Sequence, residues 1–169
     1  MTALTTPSPR PVLALLDGGG NAATAWSWFC GRCGASPSPQ GELPSARRVC
    51  ARCSFGVLLR ARSDEVPAPH APYLVVDASL TVQALSKAAE LYLGITEELA
   101  VNRHVTELLI PADRSAGGSA NLAVALSMAA RGVGPASQSM VCRSNTFGER
   151  IKARITACGP PEAALVVLA

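Results

Sequence analysis

The chain has 169 residues, 49% of them apolar and 16% charged, with a net charge of +3. That supports one packed domain, or one domain with a small stabilised module, and it excludes general disorder. Aromatic residues make up only 4%, so a core must be built from Ala, Val and Leu, and no apolar run approaches the roughly 20 residues that a membrane helix needs.

The charge is uneven. Residues 1–66 hold seven Arg against Asp17, Glu42, Asp64 and Glu65, a balance of +3, whereas residues 67–169 hold eight bases and eight acids. Residues 1–25, rich in Thr, Ser, Pro, Gly and Ala, read as a flexible leader, with residues 12–16 as a docking strand. Arg10 before residues 12–16, and Ala23-Thr24-Ala25 after them, imitate a signal peptide. The apolar stretch is five residues, shorter than the roughly 7–15 required, and Asp17 follows it, so a cytoplasmic protein is expected.

Cys30 and Cys33, then Cys50 and Cys53, form two C-x2-C knuckles with 16 residues between them. Cysteines at i and i+3 let one tight turn present both sulfurs to a single ion, and two such turns complete a tetrahedron of thiolates. The loop between them carries Pro37, Pro39, Gly41 and Pro44 and predicts no regular element. Gly31, Gly34 and Gly56 supply backbone freedom in or beside the knuckles. Trp26, Trp28 and Phe29 on one side, and Phe55, Val57, Leu58 and Leu59 on the other, can pack on the metal loops. Residues 26–60 thus resemble a zinc ribbon, which implies a structural zinc on Cys30, Cys33, Cys50 and Cys53.

Three other readings compete. Two disulfides require an oxidising compartment. A rubredoxin-like iron site uses similar knuckles, so zinc against iron stays open. Ran-binding-type zinc fingers share the Trp28-Phe29-Cys30 start, but they have a shorter gap containing an Asn, and none lies between Cys33 and Cys50. A module this small buries too little apolar surface to fold alone, so the metal would supply most of its folding free energy. Arg32, Arg47, Arg48, Arg52, Arg60 and Arg62 are candidate phosphate contacts. Four thiolates on a divalent cation contribute −2, however, which reduces the +3 of the segment to about +1. Any nucleic-acid binding should therefore be weak and non-specific.

Residues 61–71 form a charged, then Pro-rich linker, with Pro67, Pro69 and Pro72 spacing it, and the domain boundary is expected here. His70 has no Cys or acid at ligand spacing and reads as a solvated loop residue.

Beyond the linker the pattern becomes regular. Residues 73–76 are an apolar strand ending in the turn residues Asp77, Ala78 and Ser79, and residues 80–85 fit a second strand. A helix is predicted from Ser86 to Gly94, and Thr96-Glu97-Glu98 is a good second start, with a capping hydroxyl and acids in the first turn. Residues 105–110 are a short apolar segment, and residues 114–119 a mobile Gly/Ser-rich one. A longer helix is predicted over 121–131, with Leu122, Ala125, Leu126 and Ala129 on one face and Gly132 as its stop. Three strands follow, over 138–143, 150–157 and 163–168. In the middle one Ile151, Ala153, Ile155 and Ala157 alternate with Arg150, Lys152, Arg154 and Thr156, and Gly159-Pro160-Pro161 turns the chain into the last.

This order, with Ser86 where Asn is usual and with Ala88-Ala89-Glu90 and Leu93-Gly94 in place, resembles a PAS domain over residues 72–169. The resemblance implies an α+β fold, a five-stranded antiparallel sheet with short helices on one face. It also implies a sensory or protein-interaction module, some members of which hold haem, flavin or a small metabolite. The flavin-reactive members carry a Cys in the region that is Val101-Asn102-Arg103-His104 here, and the haem-binding ones a His on the long helix. Both are absent, so no haem or flavin is expected. His104, the one His of the domain, is a candidate ligand or pH sensor, and Cys142 and Cys158 are candidate redox groups, although each has an ordinary structural reading.

No phosphate loop, nucleophile elbow or paired acids near a His are present, so no catalysis is expected. The chain ends at Ala169, inside or just after the last strand, so no output domain is expected to follow. The expected role is a signalling adaptor working through an unidentified signalling protein. A zinc-ribbon transcription regulator that uses the PAS domain to dimerise or sense, and a small-molecule binding protein, are the alternatives. The first and last strands are apolar at both parities and adjacent in the PAS arrangement, so their outer face needs a cover. The zinc ribbon, the leader strand or a second copy could supply it, and a homodimer through this face, with the ribbon alongside, is expected.

Overall fold

The alternation of side chains along the strands decides how the molecule is layered. The computed structural model describes residues 25–37, 48–112, 118–144 and 149–169. The proposed docking strand 12–16, the centre of the inter-knuckle loop and Arg47 lie outside the described residues, as does most of segment 114–119.

Two sheets form. Strands β1 (Trp26–Cys30) and β2 (Leu58–Arg62) make an antiparallel hairpin. The larger sheet contains β3 (Tyr73–Val76), β4 (Val82–Leu85), β5 (Leu109–Pro111), β6 (Ser137–Arg143), β7 (Ile151–Cys158) and β8 (Ala163–Leu168), all antiparallel, in the order β4-β3-β8-β7-β6-β5. Its first strand in sequence lies beside its last, as the PAS arrangement requires. The sheet has six strands rather than five because segment 105–110 divides. Val105–Glu107 winds into a 3-10 turn, and Leu109–Pro111 pairs with β6 at the sheet edge.

The first helix starts and stops where its caps predict, whereas the two later ones each depart at the start. In α1 (Lys87–Leu93) the Ser86 hydroxyl accepts from the Ala89 N–H at 3.1 Å, and Gly94 closes the helix at φ 69°. At α2 (Glu97–Ala100) Thr96 is the N-cap residue but its hydroxyl makes no cap. The Glu90 carboxylate takes that role, accepting from the Glu97 N–H at 2.8 Å. Helix α3 (Gly118–Ala130) begins three residues ahead of the predicted start. It packs Leu122, Leu126, Ala129 and Ala130 into the main core with Leu74, Val76, Val166 and Ile155 of the sheet. The architecture is α+β and PAS-like.

Strands β3 and β8 are buried on both faces. Leu74, Val76, Val166 and Leu168 face the helices, whereas Tyr73, Val75, Leu165 and Val167 face outward. Phe29, Leu59 and Ala61 of the β1–β2 hairpin cover that outer face. Full burial of side chains such as Phe29 and Leu59 is worth roughly 1.5–3 kcal/mol each. The Phe29 and Tyr73 rings meet edge to face at 6.0 Å and 79°. The Tyr73 hydroxyl donates to the Cys30 carbonyl at 2.6 Å. Arg60 and Gly159 exchange backbone hydrogen bonds at 2.5 and 2.9 Å, joining β2 to the β7–β8 turn.

Residues 61–71 do not stand clear of the sheet as a spacer. Val66 and Ala71 pack into the same outer cluster, and Arg154 donates to the carbonyls of Asp64 and Glu65 at 3.3 Å. Of the three covers expected for the outer face, the hairpin of the same chain occupies it.

Val75 lies under the hairpin, so Val75→Glu buries an unpaired carboxylate and should lower the unfolding free energy by about 3–5 kcal/mol. Lys152→Glu, exposed on the same face of β7, should change it by less than about 0.5 kcal/mol. Urea denaturation of the two variants checks both values, and equal effects would contradict the covered face.

Candidate metal centre

The two knuckles are built alike. After β1 the chain turns so that the Gly34 N–H donates to the Cys30 carbonyl at 3.0 Å, with Gly34 left-handed at φ 70°. In the second knuckle the Ser54 N–H donates to the Cys50 carbonyl at 2.8 Å. Backbone bonds from Cys50 to Gly56 (2.8 Å) and Leu58 to Arg48 (2.7 Å) close the second knuckle, and one from Gly31 to Val57 (2.9 Å) fastens it to the first. Gly56 sits where the loops meet, and a Cβ there would overlap Cys30 Sγ and crowd Arg32 Cβ.

The four sulfurs converge. All lie within 4.8 Å of one another, with Cys30 Sγ to Cys53 Sγ at 3.6 Å and Cys33 Sγ to Cys50 Sγ at 3.8 Å. Thiolates about 2.3 Å from one tetrahedral ion stand roughly 3.8 Å apart, so the donor set fits a closed four-sulfur site. A disulfide needs about 2.05 Å, and all six cysteines are free thiols.

The N–H groups of Arg32 and Cys33 point at Cys30 Sγ (3.4 and 3.5 Å), and that of Gly56 at Cys53 Sγ (3.3 Å). Burial pushes the Cys30 and Cys33 thiols up, against the backbone N–H groups that favour their thiolates. At Cys53 burial acts in the same sense. The N–H groups of Gly56 and Phe55 and the Cys30 and Cys33 thiols outweigh it, and the group comes down to about 7. Four thiolates this close repel one another, so a cation among them is what lets all four lose their protons together.

Trp28 and Leu58 pack on Cys30 and Cys50, as predicted. Phe29 and Leu59 were also expected on the metal loops, but alternation turns them to the opposite face of the hairpin, onto the large sheet. Trp26, Phe55 and Val57 remain exposed, with the Arg60 guanidinium 4.8 Å from the Trp26 ring.

Arg32, a phosphate-contact candidate in the sequence, is turned inward instead. Its guanidinium forms ion pairs with Glu97 and, at 3.7 Å, with Glu90, and stacks 5.2 Å from the Phe55 ring centre. Its carbonyl accepts from the Lys87 N–H at 2.9 Å, at the first residue of α1. Glu97 in turn accepts from the Leu85 N–H of edge strand β4 at 3.0 Å. Sequence reading missed this network, and only the position of Arg32 inside a knuckle hinted at it. Arg62 is likewise engaged, with Asp64 at 3.2 Å and Glu65 at 3.8 Å.

The remaining candidates lie elsewhere. The His104 ring accepts from the Thr106 N–H at 3.4 Å and forms a capping box with Glu107, which accounts for the residue structurally. His70 is exposed at φ 64° in a turn. Cys142 is half-buried on β6. Cys158 is sealed in the cluster beneath the hairpin, and burial pushes its thiol up to about 12.

No protein-family profile matches the chain, and no curated protein matches it. Among solved structures it is similar to the PAS domain of an HTR-like protein from Haloarcula marismortui, at 14% identity and a TM-score of 0.45. That match covers 59% of this chain and 79% of the other. It is also similar to the PAS domain of nitrogen regulation protein NR(II) from Vibrio parahaemolyticus, at 16% identity and a TM-score of 0.44, covering 59% and 88%. The PAS-like assignment itself stands on the strand order and on the placement of the helices.

Only the thiolate alkylates, so at pH 8 iodoacetamide should label Cys142 and spare Cys158 in the metal-loaded protein. Chelation should release the hairpin and expose Cys158, which peptide mass mapping would detect. The raised value also sets a pH window. The protonated Cys158 favours the folded chain fully below its ordinary value of 9.0, and that contribution is lost as pH rises toward 12. Equal labelling of both thiols before chelation would contradict the seal.

Proposed function

We propose that the protein is a non-enzymatic signalling adaptor of PAS type, whose four-cysteine hairpin is a zinc ribbon with one structural zinc on Cys30, Cys33, Cys50 and Cys53. The observation that carries this reading is the docking of the four-sulfur hairpin on the outer face of a PAS-like sheet. Bound zinc supplies charge neutralisation and crosslinking of the two knuckles. Tyr73, Phe29 and Arg32 tie those knuckles to the sheet and to α1 and α2, so the metal loops and the sheet respond as one unit.

Use of the most reactive side chains in structure supports a role without catalysis. His104 caps a turn, and Cys158 is sealed. The absence of a Cys from residues 101–104 and of a His from α3 supports a protein without haem or flavin. A chain that keeps four free thiols for metal suits the reducing cytoplasm. We favour a partner protein over a second copy of this chain, because the hairpin already packs on Tyr73, Leu165 and Val167 at the apolar centre of that face.

A transcription regulator that contacts nucleic acid is the second reading. It is weakened by the engagement of Arg32 and Arg62 in ion pairs and of Arg60 against Trp26. A small-molecule binding role is the third.

Elemental analysis of protein purified without added metal should give about one zinc per chain, and Cys50→Ser should lose it. Iron with a visible charge-transfer band would replace zinc by iron in this reading. The same zinc-loaded protein should show no sequence-selective duplex binding at physiological salt. Tight selective binding that is lost in Arg48→Ala would favour the regulator.

A further inference from the structure

The hairpin does not close against the sheet along its whole length. Toward α2 it leaves a groove of about 790 Å³, within the roughly 300–1,000 Å³ of ligand clefts. The groove lies on the outer face of the sheet, away from the core packed against α3. Its floor is apolar, with Ala84 of β4 and Val101 partly open beside the closed side chains of Leu59, Val75 and Ala163. Phe55 and Val57 of the second knuckle form a wall, 71% and 47% exposed.

Its rim has the opposite sign to the chain as a whole. Asp77, Glu97, Glu98 and Glu162 line it against a single cation, Arg32, a balance of −3 in a chain of +3. Arg32 is already held by Glu97 and Glu90. Asp77 receives only neutral donors, the N–H groups of Ser79 and Thr81 and the Gln83 amide. Among the described residues no ion pair engages Asp77, Glu98 or Glu162.

These three carboxylates, none in an ion pair among the described residues, come from three elements, the β3–β4 turn, α2 and the β7–β8 turn. A single small cation meets one such charge. A chain segment with separated cations around an apolar centre meets several at once and also covers the floor. Addition of that segment as a further strand is not available at the edge of β4. The chain itself occupies that edge at Val82, through Asn102 and Arg103, and the Glu97 carboxylate occupies it at Leu85.

We infer that this groove binds a basic, apolar-centred peptide segment of a partner protein. Aliphatic side chains would lie against Phe55, Val57 and Ala84, and flanking Lys or Arg side chains would meet Asp77, Glu98 and Glu162. The inference rests on the adaptor reading in that it names the kind of partner such an adaptor engages.

The test uses the full, zinc-loaded chain and a fluorescein-labelled, end-capped peptide, Lys-Lys-Leu-Val-Leu-Lys-Lys, followed by anisotropy. Saturable one-to-one binding is expected, weakened by at least about tenfold in Glu98→Lys/Glu162→Lys. Both positions are exposed and should leave the fold unchanged. The control variant Glu107→Lys/Glu149→Lys makes the same charge change away from the groove and should bind as the unaltered chain does. Equal weakening in both double variants would reduce the effect to general electrostatics and overturn the site. An absence of saturable binding overturns it as well. So does groove-dependent binding of n-hexylammonium without binding of the peptide, which would assign the groove to a small organic cation. Zinc is measured in the same samples. A chain that binds peptide but holds no zinc overturns the metal reading alone, and a zinc-loaded chain that does not bind overturns this inference alone.

Discussion

The constraint on which the structure depends is the outer face of β3 and β8. Tyr73, Val75, Leu165 and Val167 point away from the helices and are apolar or nearly so. Left in water, such a patch favours association or aggregation. The β1–β2 hairpin has the complementary deficit, since its two five-residue strands are too short to bury a core of their own. Phe29, Leu59 and Ala61 answer both needs at once. The hairpin gains a core, and the sheet gains a second layer.

The cysteine knuckles then become part of the architecture of the sheet. Strand alternation gives the hairpin two different faces. One carries Trp28, Cys30 and Leu58 toward the sulfurs, and the other carries Phe29, Leu59 and Ala61 toward the sheet. Because Phe29 and Cys30 are consecutive, a displacement of the first sulfur is felt one residue earlier in the shared apolar cluster. The bond from the Tyr73 hydroxyl to the Cys30 carbonyl makes the same link from the other side. Domains joined by a Pro-rich segment often move independently, but here residues 61–71 and the sheet share packing and hydrogen bonds.

Arg32 extends the link to the helices. It stands between the two cysteines of the first knuckle, and its guanidinium pairs with Glu97 and Glu90 at 23% exposure. Partly buried ion pairs contribute little net stability, but loss of one partner leaves a charge stranded, which fixes the arrangement. Glu90 caps α2, and Glu97 occupies the edge of β4. One arginine in a cysteine knuckle thereby holds the residue that starts α2 and helps cover the outer edge of the sheet, where an unpaired strand would invite pairing with another chain.

What the sequence determined by itself were features of short range. The C-x2-C spacing identified the four cysteines, because two sulfurs at i and i+3 meet within one turn. Ser86 and Gly94 bounded α1, and the strict alternation of residues 150–157 named the face of β7, because caps and pleats are local. The apolar character of 73–76 and 163–168 at both parities announced that something covers them. It did not say what, since a hairpin, a leader strand and a second copy present the same apolar chemistry. The tertiary structure decided that the hairpin is the cover. It also turned Phe29 and Leu59 away from the sulfurs, replaced the Thr96 cap by Glu90 and took Arg32 from solvent to Glu97. Each of these depends on groups brought together from distant parts of the chain, and the distance between them in space is not written in their separation along it.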